Sequence, residues 1–173
     1  TELPRPYGPS GKATLLSIDE GVGKMKGALA GRQDRSLVIA GRSSAISITG
    51  LDDTIARAVA YQEAGVDAIF LVGVKTRAEL EPISQAVKVP MILGGVGPEL
   101  ADLDYLSAKG VRICLQSHQP FMAAVQATYA TLKALRDGVP TSDIEGVAPA
   151  DLMQRVTRAE DYDRWTKDFL GGA

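Results

Sequence analysis

Helix-patterned and strand-patterned segments alternate along this chain from residue 16 to residue 138, and that alternation limits its fold more than any other feature. The stretch LSIDEGVGKMKGALAGR (16–32) has a serine before an acidic first turn, apolar residues at helical spacing through Val22, Met25 and Leu29, and a glycine near its end, which predicts a helix. SLVIAGR (36–42) is too short for a helix and reads as a strand buried on both faces. TGLDDTIARAVAYQEAGV (49–66) predicts a second helix with Ile55, Val59 and Ala60 on its inner face, stopping at Gly65. Strands follow at 67–74, 89–97, where Pro90 stands at the start, and 111–118. Helices are expected between them at KTRAELEPISQAVK and PELADLDYLSAKG, and a long one over 119–138 that buries Phe121, Val125 and Leu132. Beyond it, VPTSDIEG reads as a linker, and residues 148–172 as two short helices carrying Tyr162, Trp165 and Phe169 for packing.

Repeated strand–helix units with apolar strands imply a parallel sheet covered by helices. No Gly-x-Gly-x-x-Gly follows the first strand, so the dinucleotide-binding version has little support. The turns AGVDA, VKVPM and AKGVR fit (β/α)8 barrel units, of which the chain supplies about the last four plus a C-terminal helical tail. The expected organisation is therefore residues 1–138 as the C-terminal half of a β/α barrel and 139–173 as linker and helices. Residues 1–16, TELPRPYGPSGKATLL, open in loop chemistry, as if a loop had been entered midway.

Composition removes some partners. At 45% hydrophobic, 23% charged and a net charge of −2, the 173-residue chain gives no electrostatic reason to expect nucleic acid or an anionic membrane. No apolar run approaches the roughly 20 residues that cross a bilayer, and no leader pattern is present, so a cytoplasmic setting is expected. The single cysteine, Cys114, lies in an apolar run, where a buried, inert thiol is expected.

Ligands of parallel α/β folds bind at the carboxyl ends of the strands, so those positions carry the functional candidates. They are Arg42, Ser43 and Ser44 after the first strand, Gly73 and Val74 after the second, Gly94 to Gly97 with Gly95 and Val96 at the centre after the third, and Ser117 and His118 after the fourth. Arg42 offers a planar fork of donors matched to a carboxylate or phosphate; the alternative is an internal ion pair with an Asp or Glu. His118 is the only histidine and suits proton transfer or the holding of a substrate oxygen near neutral pH.

EGVGKMKGALAGRQD, VIAGRSSA, AVAYQEAGVDAIFLVGV, QSHQPF and QATYATLKALRDG together resemble the isocitrate lyase and phosphoenolpyruvate mutase superfamily, and within it most closely its bacterial oxaloacetate decarboxylase branch. The resemblance implies a barrel enzyme in which Mg2+ (or Mn2+) binds a 2-oxo acid or its enolate, with the metal's acidic ligands on strands that precede this stretch; none is expected here. It implies that Arg42 grips a substrate carboxylate, that His118 is the histidine of the last strand, and that LPRPYGPSGK is the gating loop over the site. The Lys-Lys-Cys-Gly-His motif of the isocitrate-cleaving lyases is absent, and RSSA stands where they have Arg-Thr-Asp-Ala. Val96 stands where the decarboxylase branch has a tyrosine.

The expected function is a Mg2+-dependent decarboxylation of a 2-oxo dicarboxylate such as oxaloacetate through a stabilised enolate, with Arg42 and His118 as catalytic residues and Arg42, Ser43, Ser44, Gly95, Val96 and His118 binding substrate. The alternatives are cleavage of a C–C bond in a substituted malate or isocitrate-like acid, or a non-catalytic half-barrel. A homo-oligomer formed through the C-terminal helices is expected as well.

Overall fold

Four short strands set the frame of the molecule. The computed structural model describes residues 14–116 and 118–171. Strands β1 (Ala40–Ser43), β2 (Ala68–Leu71), β3 (Met91–Leu93) and β4 (Val111–Cys114) pair in chain order as one parallel sheet. Parallel neighbours need a crossover between them, and helices α2 (Leu51–Glu63), α3 (Arg77–Ala86) and α4 (Leu103–Ala108) supply it, with α1 (Ile18–Gly31) preceding β1. The expected gating loop, LPRPYGPSGK, lies outside the described residues, as does Ser117.

Local chemistry explains where the helices begin. The Ser17 hydroxyl accepts the Glu20 N–H while the Glu20 carboxylate accepts the Ser17 N–H, and Thr76 and Glu79 repeat this reciprocal cap at α3. The Ser17 hydroxyl also donates to the Glu20 carboxylate at 2.8 Å, and this bond, with the one from the Ser17 N–H, holds the Glu20 carboxyl below its ordinary value. Asp102, expected inside a helix, instead caps α4 by accepting the Tyr105 N–H at 3.0 Å.

The helices cover one face of the sheet. Ile69, Leu71, Met91 and Leu93 are buried there against Ala58, Tyr61, Leu80, Ile83, Leu100 and Leu106, with Val22, Met25 and Leu29 of α1 packed beside them. Each fully buried aliphatic side chain contributes about 1.5–3 kcal/mol before chain entropy is subtracted. The other face carries a rung of paired residues, Arg42, Phe70, Ile92 and Ile113, of which Ile113 is 50% exposed. The expectation of strands buried on both faces is therefore corrected, because the helices that pack into the core all lie on one side. A register shift between Met91 and Ile92 leaves Arg112 as the extra residue of β4.

Three further expectations are revised. Leu37 and Val38 are 57% and 63% exposed, so β1 begins at Ala40, where pairing with β2 begins, and not at residue 36. The buried face of α2 is Thr54, Arg57, Ala58 and Tyr61, with Ile55, Val59 and Ala60 only partly covered. Phe121, Val125 and Leu132 are exposed, and no residue of α5 (Gln119–Arg136) is buried.

The chain divides after residue 117, and the second unit contains α5, α6 (Ala150–Val156) and α7 (Ala159–Leu170). Within it, the rings of Tyr162 and Trp165 meet edge to face at 5.4 Å, while Tyr162 and Phe169 are largely exposed. No described helix is long and apolar enough to cross a membrane.

Candidate functional site

The carboxyl ends of β1, β2 and β3 build one rim of the first unit. Arg42 lies in β1 with its side chain exposed, its guanidinium carbon 5.6 Å from the centre of the Phe70 ring on the neighbouring strand. Ser43 is 2% and Ser44 6% exposed. The Ser43 hydroxyl accepts the Ala45 N–H at 3.2 Å, and its carbonyl accepts the Val72 N–H at 3.0 Å. A tight 3-10 turn, Ala45–Ser47, follows, and the Ala45 carbonyl accepts the N–H groups of Ile48, Thr49 and Gly50 at 2.8, 2.7 and 3.1 Å.

Glycines let the loop after β2 approach this turn and the loop after β3 approach β2 and its loop. Gly73 has φ +99°, and a Cβ there would lie 2.3 Å from the Ser47 hydroxyl oxygen, so both backbone and space exclude a side chain. A Cβ on Gly94 would lie 2.7 Å from Val72 Cγ2. Gly95 follows at φ +97°, and Val96 turns inward as a half-buried residue against the core. Arg42 and Ser43 thus end β1, and Ser44, Gly95 and Val96 lie in the loops that follow strands of the same sheet.

His118 belongs to the second unit, where it occupies the residue before α5 and its carbonyl accepts the Met122 N–H at 3.1 Å. Its side chain is exposed and makes no capping hydrogen bond.

Sequence reasoning passed over the most buried charge among the described residues. Arg57 is 6% exposed, yet its Nε–H donates to Asp53 Oδ2 at 2.7 Å and its Nη1–H to the Leu16 carbonyl at 2.7 Å. Asp53 Oδ2 also accepts the Thr49 hydroxyl at 2.5 Å. Partial burial pulls the Asp53 carboxyl upward, but the hydrogen bonds from Arg57 and Thr49 outweigh it and hold it below its ordinary value. Burial likewise pulls Arg57 down, and its bond to Asp53 more than restores it. The available signal was the i,i+4 spacing of an acid and a base in DDTIAR.

Cys114, expected to be buried, is only half-buried at the end of β4, and that partial burial pushes its thiol up. No group of three or more His, Cys, Asp or Glu among the described residues could hold a metal ion. Asp53 is engaged by Arg57 and Thr49, and Asp102 by Arg77 at 3.1 Å.

Comparison with known proteins adds to this geometry. A family model described as phosphoenolpyruvate phosphomutase matches residues 7–136. An oxaloacetate decarboxylase of Bradyrhizobium sp. (strain ORS 278) is 52% identical over 171 residues, which are 99% of this chain and 59% of that protein. The chain therefore spans about three fifths of the length of the curated relatives it matches. A phosphonopyruvate hydrolase solved with oxalate and Mg2+ is 26% identical at a TM-score of 0.67, covering 96% of this chain and 60% of that one. An oxaloacetate acetylhydrolase solved with its product oxalate is 25% identical at a TM-score of 0.68, covering 92% of this chain and 56% of that one. The fold class is that of the β/α barrel, and the described residues hold four of its parallel strands.

Proposed function

The chain belongs to the phosphoenolpyruvate phosphomutase family, and from that premise we propose that it serves as a carbon–carbon lyase that decarboxylates a 2-oxo dicarboxylate, oxaloacetate in the first instance. The observation that carries this reading is Arg42, an exposed guanidinium in β1 at the strand-end rim beside Phe70, just before a turn that Gly73 approaches closely. The half-identical relative named oxaloacetate decarboxylase supports the same substrate class.

In the proposed reaction the bond between C3 of oxaloacetate and its distal carboxylate breaks and CO2 leaves. The bonding pair remains as the enolate of pyruvate, which takes up a proton at C3. Arg42 holds a carboxylate by two parallel N–H donors, with Ser43, Ser44, Gly95 and Val96 shaping the space around it. His118 enters as the proton carrier from the resemblance alone. Mg2+ accompanies oxalate in the phosphonopyruvate hydrolase structure, but the described residues of this chain do not gather ligands for such an ion. A requirement for Mg2+ or Mn2+ is part of the proposal, and no step is assigned to it.

A cytoplasmic setting and a homo-oligomer joined through the C-terminal helices belong to the same reading. The exposed Phe121, Tyr129, Leu132 and Phe169 support the second of these. The test of function is CO2 release from oxaloacetate by this chain with Mg2+ added, the spontaneous metal-catalysed rate subtracted. A rate above background that Arg42→Ala abolishes supports the reading. No excess rate sinks it for this chain and leaves the non-catalytic alternative.

A further inference from the structure

We propose that Arg57 is a positioning residue for the rim turn, holding residues 43–50, and with them Arg42, in the geometry that receives a carboxylate. The functional half of this statement rests on the carboxylate-binding role of Arg42 proposed above.

Arg57 is buried on α2, the helix that follows the rim turn. Its influence runs through an unbroken series of hydrogen bonds. The guanidinium donates to Asp53 Oδ2, and the same oxygen accepts the Thr49 hydroxyl. The Thr49 N–H donates to the Ala45 carbonyl, and the Ala45 N–H donates to the Ser43 hydroxyl, one residue from Arg42. The other end of the guanidinium is anchored on the Leu16 carbonyl, just ahead of α1.

Stability alone gives a poor account of a guanidinium here. An apolar side chain of similar volume would fill the site without the desolvation cost of a buried charge, and buried ion pairs are often replaceable in that way at no loss. What an apolar residue cannot do is bind two acceptors in separate segments at fixed angles. A lysine ammonium, a single point charge, does it poorly as well. Geometry of this kind matters at an anion clamp, since a displacement of about 1 Å remote from the chemistry can cost on the order of 10²-fold in rate.

The experiment uses Arg57→Lys, Thr49→Val and the double variant. Thr49 is exposed, so its variant keeps the test alive where Arg57→Lys fails to fold. Amide hydrogen exchange is measured at Ile48, Thr49 and Gly50, with Ala64 and Gly65 at the far end of α2 as internal controls. KM and kcat for oxaloacetate are read alongside. Each single variant is expected to speed exchange at 48–50 by about tenfold and leave the controls unchanged, and to raise KM by about tenfold with kcat within roughly threefold. The double variant is expected to be no worse than the more impaired single one. Unchanged exchange at 48–50 in folded variants overturns the proposal, and so does equal acceleration at the controls, which marks a loss of stability without local positioning. A parent protein without activity overturns the functional reading, while the exchange data still decide whether Arg57 holds the turn.

Discussion

Asp67 accepts the Arg32 guanidinium at 2.7 Å and, on the same oxygen, the Ile39 backbone N–H at 2.8 Å, so one carboxylate ties the end of α1 to the approach to β1. The Ile39 N–H is the main cause that holds the Asp67 carboxyl below its ordinary value; some desolvation opposes it, and the charge of Arg32 adds to it. Asp53, Glu79 and Asp102 are depressed as well.

A carboxyl with a depressed folded value contributes stability that is present above its unfolded value and is lost as pH falls through the folded one. The thermal midpoint is therefore expected to hold from pH 7 to about 4 and to drop below that, where unfolded carboxyls begin to bind protons that the folded ones refuse. Asp67→Asn should melt below the parent at pH 7, and the gap should narrow as pH approaches 3. A gap independent of pH would show that the ionised carboxylate is not what Asp67 contributes.

The Tyr61 hydroxyl is buried with no hydrogen-bond partner among the described residues, and a Cβ on Gly21 would lie 2.3 Å from it. Tyr61→Phe is expected to be neutral or mildly stabilising, since no hydrogen bond is lost. Gly21→Ala is expected to cost about 1–3 kcal/mol through overpacking. The cost should shrink in the Tyr61→Phe background, measured as a double-mutant cycle by urea unfolding.

Arg42→Ala separates function from fold. The side chain is exposed and touches the Phe70 ring, so unfolding free energy is expected to move by no more than about 1 kcal/mol. CO2 release, where present, should fall by on the order of 10²-fold. Comparable loss in folding would return Arg42 to a structural role.

Leu132 is 61% exposed on α5. If the C-terminal helices join copies of the chain, Leu132→Lys should shift sedimentation toward the smaller species without lowering helix content by circular dichroism. An unchanged distribution would remove this stripe from the proposed contact.

Much of the fold is readable from local rules. Ser17 and Glu20 announce α1 by their spacing, and the apolar strings around Ile69 and Met91 announce β2 and β3. Strand beginnings are less readable, because Leu37 and Val38 look like strand residues, and only the register with β2 shows that pairing starts at Ala40. Periodicity marks the stripe of Phe121, Val125 and Leu132 correctly but cannot say what covers it. At the site, Arg42 is legible because it stands at the end of an apolar run. Arg57 is not, because a charge on a helix is ordinarily solvated, and its burial depends on Leu16 and Thr49 arriving from other segments.

The alternation along β1 has one more effect, and it concerns how the sheet finds its pairing. β1 is only four residues long, and Gly41 faces Tyr61 so closely that a Cβ would sit 3.1 Å from the ring. Sliding β1 by one residue would reverse every side chain. Either Ala40 or Arg42 would be pressed onto that ring, and in the second case a charge would be left in the apolar interior. The guanidinium and the glycine beside it thus act as a key with one orientation, which rejects misaligned sheets before any ligand is met.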